Sequence, residues 1–228
     1  MNPFLLTSAF ALDLLVGDPL WLPHPVRLIG NGIAGLEKAL RRFAMPHVGE
    51  KVAGLMLTTT VVSTAFGSTW LTIAIGRFIH PYLEALLVIY FSFTSLATKS
   101  LGGTARGVSD ALENASLPLA QQRLSHIVSR DTEGLSEEAV IRATVETVSE
   151  NTSDGIVAPL FYLALGGPAL AMAYKAVNTL DSMVGYRTPQ YRDVGCTSAK
   201  CDDGANYFPA RITGFLMTLS AALFFKRG

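Results

Sequence analysis

Residues 52–75, VAGLMLTTTVVSTAFGSTWLTIAI, run for 24 residues without a charged side chain. As a helix they cover ~36 Å, more than the ~30 Å hydrocarbon core of a bilayer, where a backbone can satisfy its own polar groups only as a helix or a closed barrel. The run therefore predicts a membrane-spanning helix. A second follows at 81–98, PYLEALLVIYFSFTSLAT, after GRFIH, a connection short enough only for a helical hairpin, and Pro81 suits the first turn of its helix. Composition agrees: 50% of the 228 residues are hydrophobic and 16% charged, with a mean hydropathy of +0.36. The 18 Lys and Arg balance 18 Asp and Glu, so the basic excess of a nucleic-acid-binding chain is missing and no nucleic-acid partner is expected. The fold class is all-α: a polytopic integral membrane helical protein, one domain over residues 1–228.

Three more segments are apolar enough to enter a membrane. Residues 3–16 are short, ~21 Å as a helix, and carry Asp13; without a preceding Lys or Arg or a cleavage site they do not read as a secretory signal. Residues 212–225 follow Pro209 and Arg211. Residues 155–174 are uncharged but hold Gly166-Gly167-Pro168 at their centre. This segment is either a kinked spanning helix or two half-helices that re-enter the same side, which requires protein to cover the exposed backbone. Between the segments lie polar connections at 17–51, 99–154 and 175–211, and their Lys and Arg place the first two in the cytoplasm.

The polar connections carry the chemistry-bearing residues. GDPLWLPHPVRLIG, residues 17–30, sets Asp18, His24 and Arg27 among three prolines, which stiffen an extended stretch after the first helix, with Trp21 as an interface anchor. A helix starting at Ser136 puts Glu137 and Glu138 in its first turn and ends near NTSDG. Glu138, Arg142, Glu146 and Glu150 share one face of it, either as a solvated row of ion pairs or, with Asn151 and Asp154, as oxygen ligands of a hard cation. Lys175, Asn178 and Ser182 form a polar stripe with Asp181 at its flank, followed by Arg187, Arg192, the adjacent acids Asp202 and Asp203, and Arg211. At most one of two adjacent carboxylates faces a shared ligand. Cys196 and Cys201 have no second pair for a zinc site and read as reduced.

LDLLVGDPLWLPHPVRLIG, the block from SRDTEGLSEEAVIRATVETVSENTSDG through to LDSMVGY, and DDGANYFPARITG together resemble the adenosylcobinamide-phosphate synthases, membrane proteins of cobalamin biosynthesis. The resemblance runs from about residue 12 to 214. It implies a multi-pass protein of the prokaryotic cytoplasmic membrane with its site facing the cytoplasm. The implied reaction is an ATP-dependent ligation of adenosylcobyric acid, a corrinoid substrate, to (R)-1-amino-2-propanol phosphate or a related aminoalcohol phosphate. Other enzymes of the pathway are implied as partners. Family members usually carry a more apolar run where this chain has CTSAKC, and usually continue beyond the position of Gly228, so the chain reads as a short or shortened member.

Amide formation from a carboxylate at neutral pH needs activation, most simply as an acyl phosphate, and an unprotonated amine. The site must hold ATP with magnesium and a second phosphate. No G-x-x-x-x-G-K-[ST] loop occurs, so nucleotide binding has to use other residues. The acid–base candidates are Asp18, His24, Glu146, Glu150 and Asp181. The candidate Mg2+ ligands are Glu146, Glu150, Asp154, Asp181, Asp202 and Asp203. The candidate substrate and phosphate holders are Arg27, Arg130, Lys175, Asn178, Arg187, Arg192 and Arg211. One cytoplasmic site drawing on all three connections requires 155–174 to enter and return at Gly166-Gly167-Pro168. A small transporter, suggested by Asp13, Glu84, Arg211 and the broken helix, and a non-catalytic scaffold for corrinoid enzymes are the competing readings.

Overall fold

A computed structural model describes residues 2–19, 21–128 and 131–224, and among them every regular element is helical. The first helices are α1 (Pro3–Val16), α2 (Pro25–Phe43), the single turn α3 (Met45–Val48), α4 (Glu50–Ile79) and α5 (Pro81–Phe93). They are followed by α6 (Thr98–Glu113), α7 (Leu117–Ser125) and α8 (Glu137–Thr152), a π turn (Ser153–Val157), α9 (Ala158–Val184) and α10 (Cys196–Phe224). Four helical stretches are long and apolar enough to cross a membrane: Glu50–Ile79, Pro81–Glu113, Glu137–Val184 and Cys196–Phe224. α1 is a shorter apolar helix. Chain ends and starts follow local chemistry. Asn2 caps α1 through Phe4 N–H at 2.9 Å, His80 caps α5 through Tyr82 N–H at 3.2 Å, and Ser136 caps α8 through Ala139 N–H at 3.3 Å.

Several boundaries differ from the sequence expectation. Pro25 does not prolong an extended stretch; it opens α2, because a fixed φ and a missing N–H cost nothing at the first helical position. The apolar run 81–98 breaks at 94–97 and restarts as α6. α9 runs on to Val184 and α10 begins at Cys196, so all of the polar connection 175–211 except residues 185–195 is helix. The helix from Ser136 does not stop at NTSDG but passes through the π turn into α9.

α9 reverses direction. Gly167 has φ 71° and ψ −164°, non-helical values inside an otherwise helical run. Residues 24 apart would lie ~36 Å apart on a straight helix, yet Asn178 donates to Asp154 at 3.2 Å. The Tyr162 and Tyr174 rings stack at 4.9 Å across the two limbs. The segment is a helical hairpin folded at Gly167.

Three apolar clusters organise the chain. One joins α2, α4 and the second limb of α9 through Ile33, Leu57, Val61 and Leu180. Another closes α6, α7 and α8 around Val108, Leu124 and Val140. The third sets Leu96 against Leu163 and Ala171 at the hairpin. Large apolar side chains on α4 and α10, such as Trp70 and Phe215, point outward, as a helix facing lipid requires. Trp21, expected as an interface anchor, is also exposed.

Candidate functional site

Three helix interruptions meet beside one helical limb. α1 ends at Gly17, α5 gives way to α6 at 94–97, α8 gives way to α9 at the π turn, and the second limb of α9 returns beside them. The contacts crossing this level include Ala97 N–H to Gly155 C=O at 3.0 Å. A π turn leaves backbone groups out of the regular ladder, and Gly155 spends its carbonyl on the neighbouring break. Irregular backbone in a membrane protein is tolerated where protein buries it or where it lines a cavity.

Lys175 stands at the centre, half-buried on the second limb of α9, within electrostatic range of Asp18, Asp154 and Asp202. Asp154 comes from the π turn and Asp202 from the first turns of α10. Asn178, one turn after Lys175, bridges these two acids, its amide donating to Asp154 at 3.2 Å and towards Asp202 at 3.5 Å. Asn206 donates to the other oxygen of Asp202 at 3.0 Å. The orientation of Asn206 is set by Tyr174, whose hydroxyl donates to Asn206 Oδ1 at 2.9 Å. Tyr162, stacked on Tyr174, donates to Ala205 C=O at 2.8 Å. The acids are thus held by a chain of amides and phenols, the arrangement buried carboxylates need in order not to be left unsatisfied.

Asp18 and His24 form the second part. Asp18 Oδ1 lies 3.2 Å from His24 Nε2, and Ser100 donates to Asp18 Oδ2 at 2.8 Å. Burial would raise the Asp18 carboxyl, but the hydrogen bonds of His24 and Ser100 and the electrostatic pull of His24 and Lys175 outweigh it. They hold the carboxyl below the usual carboxylate range. His24 Nδ1 is buried without a protein partner; with Nε2–H given to Asp18, that nitrogen carries a free lone pair.

The remaining expected site residues distribute unevenly. Glu146 and Glu150 line an open cleft of about 440 Å³ with Asp154, Asn178 and Ser182, whereas Glu138 and Arg142, exposed and 3.1 Å apart, are a solvated pair. Asp181 lies within electrostatic range of Asp202, Asp203 and Glu150. Asp203 is exposed while Asp202 turns inward, as two neighbours about 100° apart on a helix must. Arg187 and Arg192 are exposed on the 185–195 connection. Arg211 lies over the ring of Tyr207 at 3.6 Å and donates to its carbonyl at 2.6 Å. Arg27 is exposed and reaches towards Pro19 C=O at 3.5 Å. Arg130 lies outside the described residues. Of the expected cations, Lys175 alone is placed among Asp18, Asp154 and Asp202 by the contacts described.

The six expected metal ligands do not form one cage: among the described residues no three His, Cys, Asp or Glu side chains stand close enough to hold a metal ion. Asp154 and Asp202 are nevertheless a fitting donor set for magnesium, which binds through one or two carboxylates and takes its other ligands from water and substrate phosphates. Ser100, Tyr162 and Tyr174 escape the sequence reading. The tyrosines had a signal, since they flank Gly167 by five and seven residues within an apolar run; Ser100 had none, because its partner lies 82 residues away.

The chain is 50% identical over 216 residues to the "Cobalamin biosynthesis protein CobD" of Geobacter metallireducens, covering 95% of this chain and 67% of that protein. It is 47% identical over 222 residues to the protein of the same name from Pelobacter propionicus, covering 97% and 68%. It is 46% identical over 215 residues to the "Cobalamin biosynthesis protein CbiB" of Salmonella arizonae, covering 94% and 67%. No solved structure matches. The family model described as CobD/Cbib protein matches residues 6–227, and with these relatives it shows that the chain belongs to the CobD/CbiB family.

Proposed function

We propose that this protein acts in cobalamin biosynthesis as a membrane-bound ligase. It joins the carboxylate of adenosylcobyric acid to the amine of (R)-1-amino-2-propanol phosphate, or a related aminoalcohol phosphate, with consumption of ATP. The observation that carries the reading is the placement of the cation Lys175 among Asp18, Asp154 and Asp202 where the helix interruptions converge. Amide formation from two anionic substrates needs this pairing of a fixed cation with metal-binding carboxylates. Magnesium-ATP, when bound, supplies the phosphoryl group that activates the carboxylate.

The chain's own residues divide the remaining work. Asp154 and Asp202 would hold the metal, kept in register by Asn178 and Asn206. Lys175 neutralises phosphate charge. The cleft beside Glu146 and Glu150 gives room for a phosphate-bearing substrate. The Asp18–His24 pair is the proton acceptor for the substrate ammonium, which frees the amine lone pair, and Asp18 stabilises the imidazolium form. In this reading the 154–178 hairpin enters and leaves the membrane on the cytoplasmic side, which brings Asp18, Asp154, Lys175 and Asp202 to one aqueous face.

Purified protein in detergent, given both substrates, ATP and magnesium, should yield the amide by mass spectrometry, and Lys175→Met should reduce the rate by two orders of magnitude or more (~10²-fold). Wild-type protein that gives no amide and no ATP turnover, but exchanges a labelled solute across proteoliposomes, would replace the ligase with a transporter.

A further inference from the structure

Three consecutive residues at the start of α6 each grip a different point near the end of α1. Thr98 N–H donates to Asp13 Oδ2 at 2.8 Å. Lys99 Nζ donates to the carbonyls of Leu15 at 2.6 Å and Val16 at 3.3 Å. Ser100 Oγ donates to Asp18 Oδ2 at 2.8 Å. The polarity is reciprocal: a carboxylate meets the positive end of α6, and an ammonium meets the negative end of α1.

Asp13 is the unusual member. It is wholly buried on an otherwise apolar helix, where a carboxylate is expensive to keep. α6 has Ala97 at its N-cap and no capping side chain of its own, so an orphan N–H of its first turn is satisfied from another helix. The backbone bond from Thr98 uses one carboxylate oxygen, Oδ2. The need is for an acceptor oxygen at this point, which an amide can also supply.

We propose that Asp13 is a positioning residue. It caps α6 in trans, sets the register of residues 98–100 against α1, and through Ser100 fixes the Asp18 carboxylate beside His24 and Lys175. The role of Asp18 rests on the ligase reading; the cap itself does not. Without the cap the first turn of α6 frays, Ser100 leaves Asp18, and the Asp18–His24 pair loses its fixed orientation.

The test compares D13N, D13A, S100A and the D13A/S100A double variant in the full chain. Hydrogen exchange of the 97–101 backbone is read by mass spectrometry, and kcat and KM come from the amide-forming assay. D13A should speed exchange at residues 98–100 by about tenfold or more and lower kcat by about 10- to 100-fold with KM for ATP little changed. D13N, which keeps the acceptor, should restore slow exchange and most of kcat. The double variant should be no worse than the worse single one, because both act on one contact. The proposal is overturned if D13N is as damaging as D13A, if the D13A and S100A losses multiply, or if D13A exchanges like wild type. Should D13A fail to fold, S100A decides: it must lower kcat while leaving Thr98 exchange slow, and wild-type kcat in S100A overturns the proposal. Absence of amide product from wild-type protein removes the ligase reading, and the exchange measurements then decide the cap by themselves.

Discussion

Replacing Gly167 with alanine isolates the reversal on which the site depends. At φ 71° and ψ −164° the backbone occupies a region open essentially to glycine, and a side chain there costs about 1–3 kcal/mol. No heavy atom lies within 4 Å of the added Cβ, so the cost is backbone strain without a clash. At about 2–4 °C per kcal/mol for a chain of this size, Gly167→Ala should lower the midpoint of thermal unfolding in detergent by about 2–12 °C. Gly103, in the interior of α6 with equally open space around its Cβ, is the control: Gly103→Ala should be neutral or stabilise by up to about 1 kcal/mol. The hairpin is read directly by cross-linking. With the free cysteines Cys196 and Cys201 replaced by serine, Asp154→Cys and Asn178→Cys should be joined by a short bismaleimide, and trypsin, which cuts after Lys175, should release the linked peptides. Gly167→Ala should lower the yield. A continuous helix would keep the two positions ~36 Å apart, so no cross-link, together with equal stability of the two alanine variants, would refute the fold-back and the site built on it.

Asn178→Leu removes the amide shared by Asp154 and Asp202 and leaves two carboxylates without their common donor; the magnesium concentration for half-maximal turnover should rise at least several-fold, and an unchanged requirement would take these acids out of the metal site. Tyr174→Phe deletes the hydroxyl that orients Asn206 while keeping the stack on Tyr162, and should cost about 1 kcal/mol of stability through the lost hydrogen bond to a half-buried amide, read as a lower unfolding midpoint. The Asp18 carboxyl is held below the usual range, so its contribution to stability is fully present above the unfolded value near ~3.9 and is lost as pH falls through the lower folded value. The stability gap between wild type and Asp18→Asn should therefore persist from pH 7 to about 4 and close below it; a gap that closes between pH 7 and 5 would contradict the pairing of Asp18 with His24 and Ser100.

Local patterns carried much of this protein. The uncharged run 52–75 required a helix because lipid offers its backbone no other partner, and α4 spans Glu50–Ile79. Ser136 announced its cap, and the Gly166-Gly167-Pro168 break marked the point of reversal, since its glycine alone can adopt the backbone that turns there. The identities of Asp18, His24, Lys175, Asn178 and Asp202 were legible as polar residues too costly for an apolar chain to carry idly. What lay beyond the sequence was which of them meet. Glu146 and Glu150 share a helical face with Glu138 and Arg142, yet the first two line a cleft and the last two are solvated, because the second limb of α9 passes only one end of α8. The π turn kept α8 and α9 continuous where NTSDG predicted a stop, and Ala97 N–H donates to the Gly155 C=O of that turn. Arg187, Arg192 and Arg211 looked equivalent to Lys175 as phosphate holders, and only the packing of α9 between the π turn and α10 put Lys175 among the acids. Periodicity and punctuation determine elements within a few turns of chain; the partners of Asp13, Asp18 and Asp154 are 85, 82 and 24 residues away, and separations of that size are decided by which helices pack together.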